Sequence, residues 1–314
     1  MTSNTRRTLL FVGLTFLFSW TLAGVFAASG GVWTSKSSYP VTILYMFIPG
    51  LAALFMQKFI AHEPLRESLA IYFKPNRWFL AAWLIPAFIA LATNEVGLEL
   101  PWHEYTPDMS GYFKRLAGIM TPEQIQQIRM AKDMLPIPFL WLSFITGMIG
   151  GVTVSAIFAL GQELAWRGFL QRQFSSYGFW TASGLIGLIW GVWHAPIILM
   201  GFTYTEHPVA GVGMMIIYTL LLSPIMSYIR LRSKSVIAPG IFLGTLNGLA
   251  AIPLLLISGG SDLTMGLTGL SGFIVLAGVL GGIIVFERFF TDQAIIFPMA
   301  PAAEKDEGEE KTED

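Results

Sequence analysis

The chain contains about eight apolar stretches that are each long enough to cross a lipid bilayer as a helix. A segment inside a bilayer must pair its own backbone N–H and C=O groups, so stretches of this length form helices there. The sequence therefore predicts an all-α, polytopic integral membrane protein with about eight transmembrane helices, built as a single membrane domain over residues 1–290. The predicted spans are Leu9–Ala28, Val41–Ala61, Trp78–Thr93, Ile137–Leu160, Phe179–Met200, Val209–Ile229, Val236–Ile257 and Leu267–Phe286.

The composition agrees with a lipid-embedded chain. Hydrophobic residues make up 54% of the sequence and charged residues 12%, whereas soluble domains carry about 25% charged residues. The formal net charge is -1 and no basic patch interleaved with aromatic residues is present, so we expect membrane lipids and no nucleic acid among the partners. Because the chain has no cysteine, disulfides and thiolate metal sites are excluded.

Lysine and arginine side chains predict the orientation in the membrane. They concentrate in the N-terminal tail and in alternate connections on one side of the predicted bundle, whereas the short connections on the other side hold Lys36, Glu206 and Asp262. By the positive-inside rule we expect the N- and C-termini to be cytoplasmic. The membrane is expected to be the cell membrane if the source is bacterial or archaeal. The residues on the basic side are Arg6, Arg7, Arg66, Lys74, Arg77, Arg172, Arg230, Arg232, Lys234 and Arg288.

Two segments outside the predicted spans differ from them in composition. Residues 94–136 form a long external connection, in which Thr121 and the three residues after it have the composition of a helix start with a capping box. We expect Ile125 and Ile128 of that amphipathic helix to face the membrane surface. The C-terminal segment 301–314 is mostly acidic, and the sequence predicts that it is disordered.

Ionisable side chains lie inside two of the apolar stretches. Glu163 and Arg167 are four residues apart, so they share a helix face and are placed to form an ion pair. His194 follows Trp190 and Trp193 and precedes Pro196, which predicts a kink beside the imidazole. A charge at membrane depth costs roughly 2.5–3.5 kcal/mol on insertion scales, so such residues indicate a functional site.

The spacing of these residues predicts that they lie at a common depth. A polar turn around Tyr177 separates Glu163 from His194, and both lie roughly 21–26 Å from that turn at about 1.5 Å per residue. Asn247 lies roughly 18 Å beyond Ser235 by the same rise. We therefore expect polar groups from three helices to share one cavity.

The motifs around these residues resemble those of the CPBP family, the CAAX-processing and bacteriocin-processing intramembrane proteases. Gln162–Gly168 is similar to the family's Glu-Glu-x-x-x-Arg motif, and Trp190–Pro196 is similar to its second motif, an aromatic residue four positions before a histidine. Ser235–Asn247 resembles the third motif, His-x-x-x-Asn. The motif region covers about 150–250.

The resemblance implies a metal-dependent hydrolase, an intramembrane metalloprotease that cleaves a membrane-anchored and in some cases prenylated peptide or protein. It implies catalytic roles for Glu163, Arg167, His194 and Asn247, and His194 with Glu163 as ligands for zinc or another divalent metal. Two motif positions depart from the family, because Gln162 stands in place of the leading Glu and Leu243 in place of the third-motif His. These departures put catalytic competence in doubt.

Three functions are compatible with the substituted motifs. The first is an intramembrane endopeptidase with an altered site, in which Glu163 acts as the base. The second is a catalytically silent family member, a pseudoenzyme that binds a tail, a lipid or a membrane partner. The third is a small transporter that uses the buried polar residues as a pathway, although the chain lacks the paired repeats typical of transporters.

Overall fold

The computed structural model describes residues 3–33, 35, 37–117, 120–291 and 294–297. The described chain is helical over most of its length, and its two short strands, β1 (His103–Tyr105) and β2 (Ile257–Gly259), pair antiparallel. The helices in chain order are α1 (Ser3–Ala28), α2 (Ser38–Phe55), α3 (Leu65–Ser68), α4 (Arg77–Leu98), α5 (Ser110–Leu116), α6 (Pro122–Asp133), α7 (Phe139–Val152), α8 (Val154–Glu163), α9 (Gln171–Gln173), α10 (Phe179–Trp193), α11 (Ala195–Leu199), α12 (Pro208–Ser233), α13 (Ile237–Gly248) and α14 (Leu270–Phe289). Two π-helical turns, Met56–Ile60 and Leu164–Leu170, extend α2 and α8.

The all-α, polytopic fold is confirmed, but the expected number of eight complete spans is not. Within the described residues, six helices are long and apolar enough to cross a membrane, and a seventh span is obtained if α7 and α8 are counted together. The predicted span over 179–200 is interrupted, because α10 has only 15 residues and the helix is broken at His194, before Pro196. Apolar length alone does not show where a helix ends inside the membrane.

The second interruption lies between α7 and α8. The two helices meet at Thr153, whose backbone leaves the helical region (φ -112°, ψ -101°), and the pair is bent by 50°. The hydroxyl of Thr153 donates to the carbonyl of Ile149 at 2.9 Å and so satisfies an acceptor beside the break. The bend turns α8 so that its last residues, Gln162 and Glu163, lie inside the bundle, where both are buried.

Small residues bring α13 into close contact with α7 and α8, as their four-residue spacing predicts. A Cβ atom on Gly244 would lie 2.5 Å from the carbonyl oxygen of Gly151 and 2.6 Å from the backbone N of Ala156. A Cβ on Gly248 would lie 2.6 Å from the carbonyl oxygen of Gly147. The glycine face of α13 is therefore in backbone contact with the bent pair.

Gly244→Ala should lower the free energy of unfolding by about 1–3 kcal/mol, because the added methyl group meets backbone atoms that cannot rotate away. The matched control is Gly281→Ala in α14, where a Cβ has no neighbour within 4 Å. Unfolding in mixed micelles with increasing dodecyl sulfate measures both variants. Equal stability of the two variants would show that α13 is not held at this distance from α8.

The long connection between α4 and α7 forms a small layer that contains β1, α5 and α6. The predicted helix start is present: Thr121 accepts a hydrogen bond from the N–H of Gln124, whose side chain accepts one from the N–H of Thr121. Ile125 and Ile128 were expected to face the membrane surface, but they pack against an apolar cluster that includes Phe113 of α5. α5 thus offers α6 an apolar partner within the protein, and the expected contact with the membrane surface stays a prediction.

The strand pair was not expected from the sequence. Arg115 of α5 secures β2 to the layer, because its Nη2 donates to the carbonyl of Ile257 at 2.7 Å and also to the carbonyl of Leu254. The predicted single membrane domain over 1–290 and the external connection 94–136 stay predictions. The predicted acidic tail, 301–314, lies outside the described residues.

Candidate functional site

Gln162 and Glu163 lie where α8 ends and the π-helical turn Leu164–Leu170 begins. A π-helical turn inserted in an α-helix changes the direction in which neighbouring side chains point and is common at functional sites. Glu163 points to Arg167: the Nη1 of Arg167 donates to the Oε1 of Glu163 at 3.0 Å, and both side chains have 0% exposure. The predicted ion pair is confirmed, and it is fully buried.

Trp190 joins the first motif to the second. Its indole N–H donates to the Oε1 of Gln162 at 3.1 Å, and the guanidinium carbon of Arg167 lies 4.7 Å from the centre of its ring. The carbonyl of Trp190 accepts a hydrogen bond from the Nδ1 of His194 at 2.9 Å. The turn between α8 and α10 thus brings the two motifs together through one aromatic residue.

The bond to Trp190 sets the state of the His194 ring. A carbonyl oxygen only accepts, so Nδ1 carries a proton, and in the neutral ring the lone pair is on Nε2. Within the described part of the chain, Nε2 has no hydrogen-bond partner, and the His194 residue is half-buried. Nε2 is therefore the atom of this histidine that can accept a proton from water or bind a ligand.

Residues that the sequence did not indicate hold the helix break at His194. Pro196 has no N–H, so the helix ladder is interrupted here. The carbonyl of Trp193 accepts hydrogen bonds from the Tyr45 hydroxyl at 2.7 Å and from the Trp20 indole at 3.2 Å. The proline predicts a broken ladder, but no local signal identifies donors that lie 148 and 173 residues away.

Tyr45→Phe should lower the free energy of unfolding by about 1 kcal/mol, since it removes one buried hydrogen bond and leaves the ring in place. The same change at Tyr39, whose side chain is exposed, is the matched control and should have almost no effect. Thermal unfolding in detergent measures both variants. If Tyr45→Phe is as stable as Tyr39→Phe, the Trp193 carbonyl does not depend on the Tyr45 hydroxyl.

The third motif is not joined to the other two by any hydrogen bond of the described residues. Leu243 is 3% exposed and belongs to the main apolar core. Asn247 lies one turn further along α13 and is exposed. Hydrogen bonds therefore bring together the first and second motifs, and the expected common cavity with Asn247 stays a prediction. The rise per residue predicts depth, but the glycine face of α13 determines which of its sides is turned toward α8.

The side chains near His194 do not fit a divalent cation. The expected ligands were His194 and Glu163, but the carboxylate of Glu163 already binds the Arg167 guanidinium, whose positive charge repels a metal ion. Gln162 and Leu243 add no anionic ligand, and a zinc site generally has at least three protein ligands. No catalytic step through a metal follows from this donor set.

One group of potential metal ligands lies elsewhere among the described residues. Side-chain atoms of Glu206, His207 and Asp262 lie within 4.8 Å of one another at the start of α12. Both carboxylate oxygens of Asp262 already have hydrogen-bond partners. One oxygen is bonded to the His207 ring at 2.7 Å, and the other accepts from the N–H groups of Glu206 and His207. This group secures the connection before α12 to the connection before α14.

Residues 137–249 match the family model of the Rce1-like type II CAAX prenyl endopeptidases. No curated protein matches the chain. The matched segment runs from the start of α7 to the end of α13 and contains all three motifs. Together with the apolar helices, it shows an integral membrane protein, and it supports an intramembrane endopeptidase function in general. Over these residues the chain is similar to the CAAX proteases, and the match supports membership of the CPBP family.

Proposed function

We propose that this protein binds the tails of membrane-anchored, prenylated proteins at the first and second motifs and hydrolyses peptide bonds very slowly or not at all. The observation that carries the proposal is the position of Gln162, whose amide oxygen accepts the indole N–H of Trp190 beside His194. An amide cannot take a proton from water, and the loss of a positioned general base typically lowers a rate by about 10²–10⁴.

Glu163 is poorly placed to replace the missing base. Its side chain is fully buried and one of its oxygens is bonded to Arg167. None of the hydrogen bonds within the described chain connects this carboxylate to His194. The hydrogen bond to Arg167 therefore holds the Glu163 carboxylate in a contact that does not involve the histidine.

The replacement at Leu243 removes a second function. A leucine side chain offers neither a proton donor nor a lone pair, so it cannot stabilise the oxyanion of a tetrahedral intermediate. A single such donor is worth roughly 10²–10³ in rate. The Leu243 side chain is buried in the apolar core. The helix packing at this position is therefore intact, although the group that the reaction needs is absent.

The test is a cleavage assay with a farnesylated peptide in lipid nanodiscs, in which the chain is compared with a Gln162→Glu/Leu243→His double variant. The proposal expects binding by both proteins and cleavage by the double variant. Glu163→Gln on the present sequence is the third arm. Turnover by the present sequence would contradict the proposal, and its loss in Glu163→Gln protein that is still folded at the assay temperature would identify Glu163 as the base of an altered endopeptidase site.

A further inference from the structure

Arg230 lies beside the first motif without an acidic partner. Its Nε donates to the carbonyl of Arg167 at 3.2 Å, and its side chain is half-buried near the end of α12. No described Asp or Glu lies within ion-pair distance of it. The Arg230 guanidinium therefore lies next to the first motif and has no counter-ion among the described residues.

Other arginines on this side of the bundle have a carboxylate partner or are exposed to water. Glu63 binds both Arg7, at 3.7 Å, and Arg172. Glu287 binds Arg232, and Glu163 binds Arg167. Other arginines on this side of the bundle, such as Arg66, are exposed and can be solvated by water. Arg230 is half-buried and lacks the carboxylate that these other arginines have, so a ligand carboxylate can form an ion pair with it.

The first motif also contains buried donors that have no acceptor among the described residues. The Nε and Nη2 of Arg167 and the indole N–H of Trp166 are buried without an acceptor among the described residues, whereas the only unpaired acceptor of the ion pair is the Oε2 of Glu163. The side chains of Arg167, Arg230 and Glu163 together carry a formal net charge of +1. Gln162 does not neutralise this charge. The site as a whole therefore favours an anion.

We propose that Arg230 binds the C-terminal carboxylate of the tail that occupies the site. This inference rests on the proposed function, and it names the group of the ligand that is recognised. Arg167 follows Gln162 by five residues, or about 7 Å along a helix axis. An extended peptide spans about 3.3 Å per residue, so a chain end two or three residues beyond the peptide bond held at Gln162 reaches the level of Arg167, whose carbonyl is bonded to Arg230.

The chemistry of both groups suits this contact. A guanidinium presents parallel N–H donors that match the two oxygens of a carboxylate, and such charge-assisted bonds are stronger than neutral ones. A chain end inside the bundle would otherwise bring an unpaired negative charge into a region of low dielectric constant. A lipid phosphate offers similar oxygens, and the experiment separates it from the peptide carboxylate.

The experiment measures the binding of a dansylated, farnesylated tetrapeptide and of its C-terminal amide to the full chain in phosphatidylcholine nanodiscs. The present sequence should bind the free acid about tenfold more tightly than the amide, which is the size expected of one charged hydrogen bond. Arg230→Gln should lower the affinity for the acid to that for the amide and leave the amide unchanged. Arg230→Lys should keep part of the preference, and Arg66→Gln, at an exposed arginine, should keep all of it.

An acid preference that persists in Arg230→Gln overturns the proposal, as does equal binding of acid and amide by the present sequence. If phosphatidylglycerol nanodiscs abolish binding of both peptides equally, and only when Arg230 is present, the arginine binds a lipid phosphate and the proposal is wrong. Cleavage by the double variant together with any of these results would leave the proposed function intact. Failure of both peptides to bind, with no cleavage by the double variant, would reject both.

Discussion

The Gln162→Glu/Leu243→His double variant is expected to hydrolyse a farnesylated peptide at least about 10²-fold faster than the present sequence. The new carboxylate at position 162 would accept the indole N–H of Trp190, as the Gln162 amide does now at 3.1 Å. It would lie in the same cluster as the His194 ring, which is bonded to the carbonyl of Trp190. A carboxylate and a neutral imidazole with a free Nε2 are the groups needed to remove a proton from water.

The contributions of the two changes can be separated with the single variants. Gln162→Glu alone restores a base and should recover most of the rate, whereas Leu243→His alone leaves no base and should stay silent. The effects of groups that act as a unit are not additive, so the double variant need not equal the product of the two. Product release is followed by mass spectrometry of the shortened prenylated peptide.

Leu243→His also introduces a polar group at a position that is only 3% exposed, and this change carries a cost in stability. Leu243→Met, a volume-conserving change, is the matched control for packing at this position. A double variant that unfolds at the same temperature as Leu243→Met but remains silent would show that the scaffold cannot perform the reaction. Binding would then be the function that survives.

Removal of one partner of the buried Glu163–Arg167 pair is expected to lower the free energy of unfolding by about 3–5 kcal/mol. Glu163→Gln leaves a buried guanidinium without a carboxylate, and Arg167→Met leaves a buried carboxylate and removes the contact with the Trp190 ring. Unfolding in mixed micelles measures each variant. These are the largest stability effects that the structure predicts for single side chains in the site.

Two comparisons make this prediction specific. The Glu163→Gln/Arg167→Met double variant should lose less stability than either single variant, because it contains no uncompensated charge. Arg7→Met removes a partner from the Arg7–Glu63 pair, whose side chains are each 30% exposed, and should lose no more than about 1 kcal/mol. Similar losses for Arg7→Met and Arg167→Met would mean that water reaches the inner pair.

The part of the site that could be predicted from the sequence depends on local spacing. The Glu163–Arg167 pair follows from a separation of four residues, and the break after His194 follows from Pro196. The contact between Gln162 and Trp190 agrees with a hairpin that places both motifs at one depth. These features need only the helix repeat and the position of one turn.

Other features depend on contacts between distant segments. Tyr45 and Trp20 reach the Trp193 carbonyl from α2 and α1, and no pattern near either residue indicates that target. The exposed position of Asn247 depends on which face of α13 packs against α7 and α8. The pairing of β1 with β2 joins a segment before α5 to a segment after α13. Spacing along a helix cannot determine such rotations and pairings.

The π-helical turn Leu164–Leu170 has a consequence for how insertions and deletions would be tolerated. A π-helical turn holds one more residue than an α-helical turn, so the residues before it are out of phase with those after it by about 100°. Phe169 can therefore pack against Phe11 in the core while Gln162 still reaches Trp190. Deletion of a single residue within 164–170 would convert the turn to a regular α-helix and force either the motif or the core face out of register. The π-helical turn thus sets the rotation of Gln162 relative to Phe169. The number of residues in this segment is therefore as constrained as their identity.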